Sequence, residues 1–243
     1  MTAHHDPPDT PHLEEVAPRV FAYVQPDGSW WINNTGFLAG RDATTVIDMT
    51  TTEARSRVFL GQVARHAAGP VRTLVNTHAH GDHTHGNYLT LPAATIVGHE
   101  RCRAMVQAMG VAGPFVEGMW PGVEWGELQP APPFLTFTDR VNLYVDDTLV
   151  ELVHLGPAHT DNDIVAWIPE HRVLFAGDLV FNGGQPNNVG GSITGDNITA
   201  YHLINVKRLA YETIPPPLAA FTPGEGYTGP SAEEIERAVR QVI

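Results

Sequence analysis

Residues 76–87 read Asn-Thr-His-Ala-His-Gly-Asp-His-Thr-His-Gly-Asn, and this stretch constrains the fold more than any other. It sets four histidines and one aspartate within eight residues, punctuated by Gly81 and Gly86. Imidazole nitrogen and carboxylate oxygen are the ligands that Zn²⁺ and neighbouring first-row metals take. Core packing gives no reason for that density on a turn. The apolar run at 71–75 reads as a buried strand leading straight into it. Open α/β architectures collect their ligands at such carboxyl ends of strands.

Composition narrows the partners. A net charge of −13, with only 14 Lys and Arg spread along 243 residues, argues against nucleic acid, which demands clustered cations. No run approaches the ~18 apolar residues of a membrane span, so no membrane partner is expected. The first residues lack the basic and apolar regions of a signal peptide, and the expectation is a soluble, cytoplasmic protein. Cys102 is the only cysteine, which leaves no intrachain disulfide, and its plain reading is a small core residue.

Residues 1–14, rich in Pro, His and Asp, read as a flexible leader, and 15–243 as a single domain. His4, His5 and His12 are read as tail residues rather than ligands. Strands are expected at 20–24, 30–33 and 36–39, the first two joined as a hairpin through Pro26-Asp27-Gly28. A strand at 44–47 ends at Asp48, and 51–67 reads as an amphipathic helix. A strand at 95–97 precedes a helix over 99–109. Residues 110–133, rich in Pro and Gly, also carry Phe115, Met119, Trp120 and Trp125. So long an irregular stretch is a functional loop or a linker; a lid over an apolar substrate and a loop pinned to its own small core both fit. Further strands are expected at 141–144, 149–154, 164–168, 173–176 and 218–221, with helices at 197–211 and 231–242. The order of elements suggests two similar α/β units packed face to face.

His159 and Asp178 again follow expected strands, so three separate strand ends deliver His and Asp. Either of them alone would be weak evidence.

The ordered set His78-x-His80-x-Asp82-His83, then Gly-Pro-Ala-His159-Thr, then Ala-Gly-Asp178, resembles the metallo-β-lactamase superfamily. The resemblance implies an α/β fold, the αββα four-layer sandwich, with metal at one edge. It implies zinc, as one ion or two, or another first-row divalent metal. His78, His80 and His159 would hold the first metal, Asp82 and His83 the second, and Asp178 would bridge them. The segments around Trp120 to Glu127, GPAHTD and LFAGDLVF are similar to stand-alone hydrolases often labelled cyclases. The chain departs from the family pattern at Glu225, in Thr-Pro-Gly-Glu-Gly, where a histidine usually completes the second site. Glu225 as a ligand, a single-metal site, and a contribution from His85 or His202 all stay open.

These residues lead to an expected metal-dependent hydrolysis of an ester-like bond (thioester, lactone, ester or lactam) by hydroxide generated on the metal. Asp82 is the candidate catalytic residue, as orienter or proton shuttle. Asp48 fits a hydrogen bond to the ligand turn, or a plain structural place before the helix. Trp30, Trp31, Phe115 and Trp120 are candidate substrate contacts for a bulky, apolar small molecule. A polyketide-type cyclase or thioesterase on the same metal site is the alternative. A degenerate member that binds a small ligand without turnover is a third.

Overall fold

The computed structural model describes residues 10–26, 31–111, 118 and 120–180. Its first sheet contains β1 (His12–Ala17), β2 (Val20–Val24), β3 (Thr35–Ala39), β4 (Thr44–Ile47), β5 (Val71–Val75), β6 (Thr95–His99) and β7 (Leu135–Phe137), in that spatial order. β1 to β4 run antiparallel to their neighbours, and β4 to β7 run parallel. Parallel neighbours need crossovers. These carry α1 (Glu53–His66), the short α2 (Gly81–Thr84) and α3 (Glu100–Met109). The second sheet is antiparallel, in the order β11 (Val173–Phe175), β10 (Ile164–Ile168), β9 (Thr148–His154) and β8 (Arg140–Val145).

Side chains alternate across a strand, and here the alternation divides two cores. Leu38, Ile47, Val75 and Val97 face the second sheet and pack on Val150, Leu152, Ile164, Ala166 and Ile168. Their neighbours Phe37, Val46, Leu74 and Ile96 face the other way and pack with Phe59 and Val63 of α1. Among the described residues the layers are therefore helix, sheet and sheet. Coverage on both faces explains why β3 and β4 are buried at every position. Phe59 is fully buried, and truncation to alanine at such a site costs about 3–5 kcal/mol.

Thr52 sets the start of α1. Its backbone is extended and its hydroxyl accepts from the Arg55 N–H, an N-cap that satisfies one orphan donor. Glu53 in the first turn and Arg65 and His66 in the last complement the helix dipole.

Three sequence expectations change. His12–Glu14, placed in the leader, begin β1, because Leu13 and Val16 find apolar partners there and pair the segment with β2. Trp31 to Asn33 form no strand. Trp31 turns with φ 60°, and side chains occupy the backbone groups a ladder would use. Asn34 Oδ1 accepts from the Gln25 N–H, and the Gln25 amide donates to the Asn33 carbonyl. β2 pairs with β3 instead. β7 lies in the first sheet, where the sequence suggested no strand. Trp30, Phe115, His202, Glu225 and the elements expected beyond residue 180 lie outside the described residues.

Candidate metal centre

Strand ends assemble the centre. β5 delivers Asn76, Thr77 and His78 at its carboxyl end, while β4 beside it delivers Asp48. α2 then folds the chain back on itself, with the His83 N–H donating to the His80 carbonyl at 3.0 Å. A pair of amides closes this turn. Asn87 Nδ2 donates to Asn76 Oδ1 at 2.8 Å, and Asn76 Nδ2 returns a bond to Asn87 Oδ1 at 3.1 Å. From the second sheet come His159, between β9 and β10, and Asp178, just after β11.

Two donor sets result. One nitrogen or oxygen from each of His78, His80, His159 and Asp178 falls within 4.8 Å of the others, and so do donors of Asp82, His83 and Asp178. Asp178 belongs to both sets. His159 Nε2 lies 3.0 Å from His80 Nδ1 and 3.4 Å from Asp178 Oδ2. His83 Nε2 lies 3.0 Å from Asp178 Oδ1 and 3.5 Å from Asp82 Oδ2. His78 Nε2 and His83 Nε2 are buried and make no hydrogen bond of good geometry. An orphaned buried nitrogen is costly to a protein, and here both aim at the same carboxylate. The arrangement fits a divalent metal, which would satisfy them at once.

In the metal-free protein the electrostatics suit that use at His78 and His80, whereas a metal held by His83 has to displace its proton. Burial, with the neighbouring histidines, holds His78 well below its ordinary range and brings His80 down to about 4. Both are neutral at pH 7, the form that binds metal. Burial also pushes His83 down, but Asp178, Asp48 and Asp82 outweigh it and leave His83 well above its usual value. Burial lifts Asp82 to about 6. It acts on Asp178 in the same direction, yet His83 prevails and Asp178 ends below its ordinary value.

Behind the donors, Asp48 is buried at φ 59° and accepts three bonds. They come from the Thr77 N–H (2.7 Å), the Thr77 hydroxyl (2.7 Å) and His83 Nδ1 (2.8 Å). The carboxylate thus fixes the tautomer and the direction of His83, the hydrogen-bonding role the sequence suggested. His85 joins neither donor set. Its Nδ1 donates to the Thr51 carbonyl at 3.1 Å, and its ring lies edge-on to Trp31 with centroids 5.7 Å apart.

Trp31 and Trp120 meet with centroids at 4.9 Å, and Trp125 completes the cluster at 6.4 Å from Trp31 and 6.3 Å from His85. In the sequence Trp125 stands out only as part of the 110–133 loop and His85 only as a possible contributor to the second metal; the structure brings both against Trp31. The loop carrying Trp120 and Trp125 is pinned. Glu53 donates its N–H to the Trp125 carbonyl at 3.0 Å and accepts the Glu127 N–H at 2.7 Å, and Asn87 holds the Ala131 carbonyl at 2.9 Å.

The sequence model described as "Metallo-beta-lactamase superfamily" matches residues 28–240. A metallo-beta-lactamase type 2 of Bacteroides fragilis is 21% identical over 194 residues, covering 78% of this chain and 70% of the relative. The 2,4-dinitroanisole O-demethylase subunit alpha of Nocardioides sp. (strain JS1661) is 29% identical over 122 residues, or 49% of this chain. That alignment spans only 32% of the relative's own length. Among solved structures, a metallo-beta-lactamase from Pontibacter korlensis superposes with a TM-score of 0.57 at 16% identity, covering 84% of this chain and 87% of the other. The DIM-1 metallo-beta-lactamase gives 0.55 at 17%, covering 72% and 73%.

Proposed function

Since the chain belongs to the metallo-beta-lactamase superfamily and shares its αββα sandwich, we propose that it is a zinc-dependent hydrolase of an ester-like bond. The observation that carries the reading is the pair of overlapping donor sets joined by Asp178. His78, His80, His159 and Asp178 would hold the first ion; Asp82, His83 and Asp178, with Glu225 from beyond the described residues, would hold a second. A bound divalent metal supplies Lewis acidity, polarising a carbonyl and lowering the pKa of water towards ~7.

The chain's own residues do the rest. Asp48 keeps His83 in one tautomer, and the Asn76–Asn87 amide pair fixes the curvature of the turn. Asp82, buried beside His83 and Asp178, is placed to orient a water or to take its proton. Trp31, Trp120 and Trp125, each half-buried, offer apolar surface close to the ligand turn through His85. That favours a bulky apolar small-molecule substrate. The name of the Nocardioides relative points to a nitroaromatic methyl ether, so an aryl ether belongs in the same screen. We place the protein in the cytoplasm on its single, buried cysteine; among the described residues no helix is long and apolar enough to cross a membrane.

The test is a panel of thioesters, lactones, esters, β-lactams and aryl ethers, assayed with and without chelator. Turnover that chelator abolishes and Zn²⁺ restores is the expected outcome. Turnover indifferent both to chelator and to His78→Ala would sink the proposal. Cyclised rather than hydrolysed product would select the cyclase alternative.

A further inference from the structure

Two buried carboxylates outside the donor sets flank the centre, one from each sheet. Asp48 takes the N–H and the hydroxyl of Thr77, the residue before His78, at 2.7 Å each. Asp163, 3% exposed and just before β10, takes the N–H and the hydroxyl of Thr160, the residue after His159, at 2.7 and 2.8 Å. The two clamps have the same chemistry and grip opposite sides of the site. They are also joined, since the Ile164 N–H next to Asp163 donates to the Thr77 carbonyl at 2.8 Å.

We propose that Asp163 is a positioning residue for His159, holding it at the distance from His80 and Asp178 that the first donor set needs. The inference rests on the metal-site reading above. The local bonding gives Asp163 that leverage. The Thr160 hydroxyl accepts from the Asn162 N–H at 3.1 Å, so its own proton is directed at Asp163. Both Asp163 oxygens are therefore acceptors, a demand that a carboxylate meets and an amide does not. The Ala158 N–H donates to the Thr160 carbonyl at 2.8 Å, closing the backbone around His159. Asp163 is itself braced. Its carbonyl accepts from His154 Nδ1 at 2.7 Å, and the His154 ring packs on His99 with centroids 4.2 Å apart. His99 in turn donates through Nε2 to the Thr138 carbonyl at 3.1 Å.

The experiment uses the full-length chain stripped of metal and titrated with Co²⁺, following the visible absorption of the bound ion and the dissociation constant. Asp163→Asn keeps the size and loses one acceptor. It is expected to weaken Co²⁺ binding by about 10- to 100-fold, the range for groups that orient metal ligands, and to change the absorption bands, with the metal-free chain still folded but melting below wild type. His159→Ala is the control. If His159→Ala weakens binding and Asp163→Asn does not, Asp163 has no positioning role. If His159→Ala also leaves binding unchanged, the metal reading fails and this inference with it. Should Asp163→Asn not fold, Thr160→Val and Thr160→Ser carry the same test. Valine is expected to weaken Co²⁺ binding and serine, which keeps the hydroxyl, to restore it; equal binding by the two overturns the role.

Discussion

The Nδ1–H of His83 donates to Oδ2 of Asp48 across 2.8 Å, with both side chains buried. The bond leaves Nε2 of His83 directed at Asp178 and Asp82. Asp48 thereby decides which nitrogen of His83 the site can use, and through the Thr77 hydroxyl, 3.2 Å from His78 Nδ1, it reaches the first donor set as well.

Asp48→Asn is expected to leave the backbone intact, because asparagine tolerates the left-handed conformation that Asp48 adopts at φ 59°. Metal affinity at the Asp82, His83 and Asp178 set should fall by about 10- to 100-fold. Asp48→Ala strands the Thr77 N–H and hydroxyl as well, and each buried group left unpaired costs about 1–3 kcal/mol. Metal titration separates the two variants from wild type, and urea unfolding separates them from each other.

Gly81 lies under the His85 ring. A Cβ there would collide with Nε2, Cε1 and Cδ2 of His85, whose ring is tied to Thr51 and edged by Trp31. Gly81→Ala should therefore destabilise by about 1–3 kcal/mol, as overpacking does. Adding His85→Ala should return part of that loss, so a double-mutant cycle is expected to show coupling. Additive effects would mean that the ring moves aside freely.

In the metal-free protein the cluster should titrate unevenly. His80, held at about 4 against 6.5 in the unfolded chain, favours the folded state in its neutral form. The unfolded chain binds more protons between those values. The stabilisation is full above pH 6.5 and is lost as pH falls towards 4. His83 goes the other way, raised by Asp178, Asp48 and Asp82 against burial. Its contribution is full below pH 6.5 and fades as pH climbs through the folded value. Histidine ¹⁵N spectra should show His83 protonated and His80 neutral at pH 7; the reverse order would refute the assignment.

Cys102 is fully buried in α3 and burial pushes its thiol far up. A thiol without thiolate or access is inert. Aromatic disulfide reagents should leave the native protein unmodified and label it stoichiometrically in denaturant; rapid labelling under native conditions would show that α3 opens.

Much of this was legible in the sequence where a side chain's chemistry and its place in a strand coincide. His78, His80, Asp82, His83, His159 and Asp178 all sit at or just past strand ends, and the structure brings them together. The centre of the first sheet was legible too, since β-branched and aromatic runs mark strands whatever they pack on. Part of what escaped was decided by side chain to backbone bonds. The adjacent tryptophans at 30 and 31 have strand propensity, but Trp31 turns at φ 60°, and Asn33, Asn34 and Gln25 bond around it instead of forming a ladder. Asp163 escaped because Thr-x-x-Asp is common and acquires meaning only once His159 stands beside it. The Pro-rich approach to β7 hid a short strand that the edge of β6 templates.

The bond between the Ile164 N–H and the Thr77 carbonyl spans the gap between the sheets, and Asp178, common to both donor sets, follows β11. During synthesis the histidine-rich turn leaves the ribosome long before its remaining donors exist. Domains assemble as units once their chain is available, so the nascent turn offers an early metal ion only a partial grip. Metal loading would then follow the closure of the two sheets on each other.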